Sequence, residues 1–93
     1  MIGFAEEKIS GGKLVRVRAE YEDIIKNVQI TGDFFVHPED TVEQIERSLF
    51  GINKDVNELV IQEIVNDIVA KNNAQLIGID SEAIARVLKK AII

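Results

Sequence analysis

The sequence has no cysteine, which removes disulfide scaffolding, zinc knuckles, iron–sulfur clusters and thiol nucleophiles together. That absence fits a reducing compartment. No apolar run approaches the length of a membrane span. Met1 to Ser10 carries Glu6, Glu7 and Lys8 where a secretory signal needs a long apolar core. A soluble, cytoplasmic protein is expected. There is no basic excess: the formal charge is −5, residues 1–37 hold 5 basic and 6 acidic groups, and residues 38–93 hold 6 and 10. An acidic chain without a basic stripe argues against a nucleic-acid module. Also missing are a Gly-rich phosphate loop, a dinucleotide fingerprint, a nucleophile elbow and a His-Glu-x-x-His pair. The carboxylates are expected on exposed helix faces, and no metal-ligand set is read. A hydrolase or transferase working alone is therefore not expected.

Ninety-three residues make one domain, 1–93. A chain of this size buries about 60–65% of its unfolded surface, enough for one small core. Any deep substrate cleft would have to be shared with another chain.

What is there concentrates between Gly11 and Pro38. Along Leu14 to Tyr21, Val15, Val17, Ala19 and Tyr21 alternate with Arg16, Arg18 and Glu20, the period of a strand with one packed and one wet face. Glu22-Asp23 makes a turn. Val28 and Ile30 then continue the packed face while Asn27, Gln29 and Thr31 face out, completing a hairpin. Gly11-Gly12 before this hairpin can reverse the chain sharply, because glycine reaches positive φ without a Cβ penalty. Backbone N–H groups in such a turn can form an anion-binding concavity, to which Lys13 adds a mobile cation. The plainer alternative is a hairpin turn followed by a solvated lysine. Arg16 and Arg18, with Lys13 nearby, form a small basic patch whose plain reading is solubility. Phe34-Phe35 beside Asp33 cannot both enter one thin core, so one ring is either a partner anchor or lies under the first helix.

The rest reads as helices. Pro38 is placed at the first helical position, with Glu39 and Asp40 in the first turn, Val42, Ile45 and Leu49 at helical spacing, and Gly51 as a stop. His37, the lone histidine, reads as a cap or packing residue. Asp55-Val-Asn-Glu58 resembles a capping box for the strongest helix. Its apolar face is Val56, Leu59, Val60, Ile64 and Ile68, widened by Ile61, Val65 and Val69. Asn72-Asn73 ends it through a left-handed residue. Leu76 to Ile79 is a short extended connector. Asp80-Ser81 caps a last helix with Ile84, Val87, Leu88 and Ala91 inward, and Lys89 and Lys90 near its end. Ile2 to Ile9 reads as a first strand. The expected class is α+β: a three-stranded antiparallel meander followed by three helices packed on one face.

In this order and spacing, GGKLVRV at 11–17, KNVQITGDFF at 26–35, HPED at 37–40 and LIGID at 76–80 resemble the C-terminal accessory domain of lipoate–protein ligases, in the form that exists as a separate small subunit. The likeness covers nearly the whole chain. It implies a fold similar to the small scaffold domains of sulfur mobilisation, and the lack of cysteine removes any sulfur-transfer role. It also implies a heterodimer whose catalytic subunit binds ATP, Mg and lipoate, forms lipoyl-adenylate, and passes the lipoyl group to a lysine of a lipoyl-acceptor domain. This chain would bind no cofactor alone and would serve chiefly the adenylation half-reaction. On that reading Lys13 is a catalytic cation supplied in trans. Gly11 and Gly12 form the phosphate or partner loop, and Asp33, Phe34, Phe35 and His37 belong to the interface. The rivals are a stand-alone protein-interaction module and a small enzyme using His37 and Asp33.

Overall fold

Three consecutive strands, Ile2–Lys8 (β1), Leu14–Tyr21 (β2) and Ile25–Gly32 (β3), form an antiparallel sheet in the order β1-β2-β3. The computed structural model describes residues 1–9, 11 and 13–93. The register pairs Val17 with Ala5 on one side and with Ile30 on the other. Strand alternation turns Val15, Val17, Ala19, Tyr21, Val28 and Ile30 to the covered face, where all are buried. Burying each such aliphatic side chain contributes roughly 1.5–3 kcal/mol. The meander and the phase of its packed face are as the alternation predicts. β1 also keeps its phase: Gly3, Ala5 and Glu7 turn inward, and Ile2 and Phe4 stand exposed on the uncovered face.

The helices are Thr41–Ser48 (α1), Glu58–Lys71 (α2) and Ser81–Ala91 (α3). α3 lies across β2 and β1, α1 packs on β3, and α2 packs on α3 and α1. Three details differ from expectation. α1 begins at Thr41, so Pro38, Glu39 and Asp40 form a bend and turn before the helix instead of its first turn. α2 is capped by Asn57, whose side chain accepts from Leu59 N–H at 2.8 Å. Asp55 instead donates its backbone N–H to the Asn53 side chain. The buried seam of α2 is Ile61 and Val65, while Leu59 and Val60 are exposed. A helix contacted by two other helices buries only the residues between them, however wide its apolar stripe.

Asn73 ends α2 with φ 49°, and the Asp80 side chain caps α3 by accepting from Ala83 N–H at 2.7 Å. Ile84, Val87, Leu88 and Ala91 point inward as expected. The extended connector is a true strand, Gln75–Ile77 (β5). It pairs antiparallel with Phe35–His37 (β4) in a second, two-stranded sheet. No helix among the described residues is long and apolar enough to cross a membrane.

Candidate functional site

The second sheet sits beside the open end of the β1–β2 turn, and this places the residues singled out above. Leu14 N–H donates to an Asp33 carboxylate oxygen, and Asp33 N–H donates back to the Leu14 carbonyl at 3.1 Å. Asp33 therefore locks the exit of β3 to the start of β2, one residue from Lys13. Two residues on, Phe35 pairs with Ile77. The next residue, Gly78, meets Lys13: a Cβ built on Gly78 would lie 3.1 Å from Lys13 Cγ and 3.5 Å from both Cδ and Cε. The contacts close a ring running from Lys13 through Leu14, Asp33, Phe35, Ile77 and Gly78 back to Lys13.

Lys13 is thus half-buried by its stem, which lies over Gly78. It shares the phase of Val15 and not that of the two arginines. Arg16 lies on the uncovered face and pairs with Glu6 at 2.9 Å. Arg16 and Arg18 share the uncovered face of β2, as expected, while Lys13 falls in the opposite phase just before the strand. Lys13 makes no ion pair among the described residues. A lysine with a packed stem and a free head is a positioned cation.

The two phenylalanines divide. Phe34 is partly buried against the core, and Phe35 is 68% exposed across from Ile77 at 51%. Alternation accounts for this: Val36 and Leu76 turn inward, so Phe35 and Ile77 turn out. The outer face of the small sheet is an exposed apolar pair, and the residue after Ile77 is the Gly78 that the Lys13 stem meets. His37 follows on the same exposed face, two residues past Phe35. Phe34, Phe35 and His37 line a small hollow of about 220 Å³ with Glu39 and Val42. Asp33 and His37 are not hydrogen-bonded to one another, and the Asp33 carboxylate is engaged with Leu14. Gly11, with φ 87°, is exposed, and Gly12 lies outside the described residues.

Sequence reasoning missed three features. Gly78 was visible only as part of a motif; nothing local shows that a lysine 65 positions earlier lies on it. Glu7, on the inner face of β1, accepts from Arg86 Nη2 at 2.6 Å and from Lys90 Nζ at 2.7 Å. Hydrogen bonds from Arg86 and then Lys90 hold its pKa down to about 2. Glu46 of α1 accepts the edge-facing N–H of Ile30 at 2.7 Å, and burial raises its pKa against that hydrogen bond. These two carboxylates depart from the expectation of solvated helix faces, and both tie elements of the fold together. Glu46 also borders an open concavity of about 690 Å³ between β3 and α1, walled by Val28, Glu43, Arg47 and Phe50. None of the candidate site residues Gly11, Lys13, Asp33, Phe34, Phe35 and His37 lines it.

Among the described residues, the corner brings no nucleophile and base together. It can present an apolar anchor and a fixed ammonium to another surface. Among protein-family models, the one described as the bacterial lipoate protein ligase C-terminus matches residues 5–88. Comparison with curated proteins returns no match. Among solved structures the chain is similar to one from the structural analysis of an archaeal lipoylation system, a bi-partite lipoate protein ligase and its E2 lipoyl domain from Thermoplasma acidophilum. The two are 27% identical, the match covers 95% of this chain and 94% of that one, and the TM-score is 0.76.

Proposed function

The chain belongs to the family of the bacterial lipoate protein ligase C-terminus, and from that premise we propose that it acts as the accessory, activating subunit of a two-chain lipoate–protein ligase. The observation that carries this reading is the near-complete mutual coverage with a chain of a bi-partite ligase structure. The likeness extends over 94% of that chain. The partner is the catalytic subunit, which holds ATP, Mg and lipoate. The product of the joint reaction is a lipoyl group on a lysine of an acceptor domain.

The physical role follows from the adenylation step. The lipoate carboxylate attacks the α-phosphate of ATP, an oxygen–phosphorus bond forms, and pyrophosphate leaves with the bonding electrons. Negative charge gathers on the α-phosphate and the leaving group. A cation held there before reaction stabilises the transition state without reorganising. Lys13 supplies that cation in trans, while Phe35 and Ile77 seat the partner beside it. Asp33 contributes by fixing the frame.

The test mixes this chain with a lipoate–protein ligase catalytic chain and follows lipoate-dependent pyrophosphate release. The expected result is a rise in rate on mixing, lost about 10²-fold in Lys13→Ala with complex formation intact. A full rate in Lys13→Ala would leave only a contact role, in which docking orders a partner loop. No rise on mixing would favour a stand-alone interaction module, and turnover by the isolated chain a small enzyme.

A further inference from the structure

We infer that Gly78 is a positioning residue for Lys13: its bare Cα is the floor of a channel that holds the lysine stem and so sets where the ammonium is delivered. This rests on the reading of Lys13 given above and adds to it the element that aims the lysine. Three of the four side-chain methylenes of Lys13, Cγ, Cδ and Cε, lie within 3.5 Å of where a Gly78 Cβ would stand. A lysine on a bare turn would spread its head over many rotamers, and ordering it on docking would cost that freedom. Here the freedom is given up on folding, and what remains is a head projecting from a laid stem.

The position of Gly78 in the chain matters as much as its missing side chain. It directly follows Ile77, and Ile77 pairs with Phe35. The apolar anchor and the channel for the cation are consecutive residues of one strand end. The Lys13 stem thus meets the residue next to Ile77, on the same frame that carries the apolar pair. Leu14, next to Lys13, is tied to the same frame through both hydrogen bonds to Asp33. Both ends of the arrangement are therefore held.

Gly78 also has φ +82°, where a side chain is strained whatever the space. Backbone strain and loss of the channel must be told apart. Alanine and asparagine at position 78 share a Cβ and differ in tolerance of positive φ, asparagine accepting it far better. Either Cβ would force Cγ of Lys13 to give way by a few tenths of an ångström, and the displacement grows along the stem toward Nζ.

The experiment uses the full chain together with a lipoate–protein ligase catalytic chain, Mg-ATP and lipoate, with single-turnover pyrophosphate release as the readout. Gly78→Ala and Gly78→Asn are each expected to lower the adenylation rate constant about five- to tenfold, with the Kd for the catalytic chain within about twofold. In a Lys13→Ala background Gly78→Ala is expected to change nothing further, because the group it aims is gone. In the full chain alone, nuclear Overhauser contacts between the Lys13 side-chain methylene protons and the Gly78 α protons are expected. Full rates in both Gly78 variants overturn this inference while leaving Lys13 in its role. So does a Gly78→Ala loss that persists undiminished without the lysine, or a loss that follows melting temperature instead of the shared Cβ. A full rate in Lys13→Ala overturns the inference and the reading beneath it together.

Discussion

A methyl group on Gly3 would collide with the carbonyl oxygen of Ala91, so the last turn of α3 rests on the bare backbone of β1. The Tyr21 hydroxyl, donating to the Ile93 carbonyl at 3.0 Å, holds the same helix end from the neighbouring strand. Gly3→Ala must lift α3 from β1 or bend the strand, and the blocking atom is backbone. The expected cost is about 3 kcal/mol or more, at the upper end of overpacking effects. Gly11→Ala is the control. It has φ +87° but open space around its Cβ, so only backbone strain of about 1 kcal/mol is expected. Denaturant titrations of the two variants check the ordering.

The Glu7 clamp has a pH signature. In the unfolded chain Glu7 titrates near the ordinary 4.5, and in the fold near 2 because Arg86 and Lys90 hydrogen-bond its charged form. A depressed carboxyl stabilises the fold fully above the unfolded value, and that contribution fades as pH falls from 4.5 toward 2. Arg86 and Lys90 are 42% and 51% exposed, so water screens the pair and about 1 kcal/mol is expected, well below the bare shift. Glu7→Gln should be less stable than wild type by that amount at pH 7 and equal to it near pH 2. Thermal melts across this range read the convergence.

Glu46 should show the opposite sense. Burial raises its pKa, Ile30 N–H opposes the shift, and the Glu43 charge adds to it. The carboxylate is therefore a cost at neutral pH, relieved as pH falls and the group protonates in the fold. Glu46→Gln keeps an acceptor for Ile30 N–H and drops the charge, so it should match or exceed wild-type stability at pH 7. Glu46→Ala leaves that N–H without its partner and should lose about 1–2 kcal/mol. Comparing the two melts at pH 7 separates charge from hydrogen bond.

Phe35 and Ile77 are exposed, so truncating them should barely affect folding, within about 0.5 kcal/mol. As anchors they should matter to association. Phe35→Ala and Ile77→Ala are each expected to weaken binding to the catalytic chain about tenfold or more, in line with aromatic and apolar hot spots. The Kd by titration calorimetry checks it. An unchanged Kd in both variants would move the interface elsewhere, with Leu59 and Val60 on the outer side of α2 the next surface to truncate.

Alternation over Leu14 to Thr31 was enough to place the meander and its packed face, because period two is a property of the strand itself. The last helix was equally legible, since Asp80 and the Ile84–Leu88 spacing act within one or two turns. Legibility failed where a residue's role depends on something remote. Pro38 suits a helix start, yet the helix begins at Thr41, because His37 first has to finish pairing with Gln75. Leu59 and Val60 match the apolar period of α2 but stay exposed, while Ile61 and Val65 are buried and Ile64, Ile68 and Val69 pack partly against the core.

The candidate site divides the same way. Lys13, Asp33 and Phe35 could be singled out from local chemistry: a cation after a glycine turn, a carboxylate at a strand end, two rings that cannot share one core. That they form one closed corner was decided by the tertiary structure. The pairing of β4 with β5 brings Ile77 and Gly78 to them, and no local pattern encodes which distant backbone will run beneath a lysine. Short-range rules set the direction each side chain faces; the partner it meets there is chosen by packing between segments far apart in the chain.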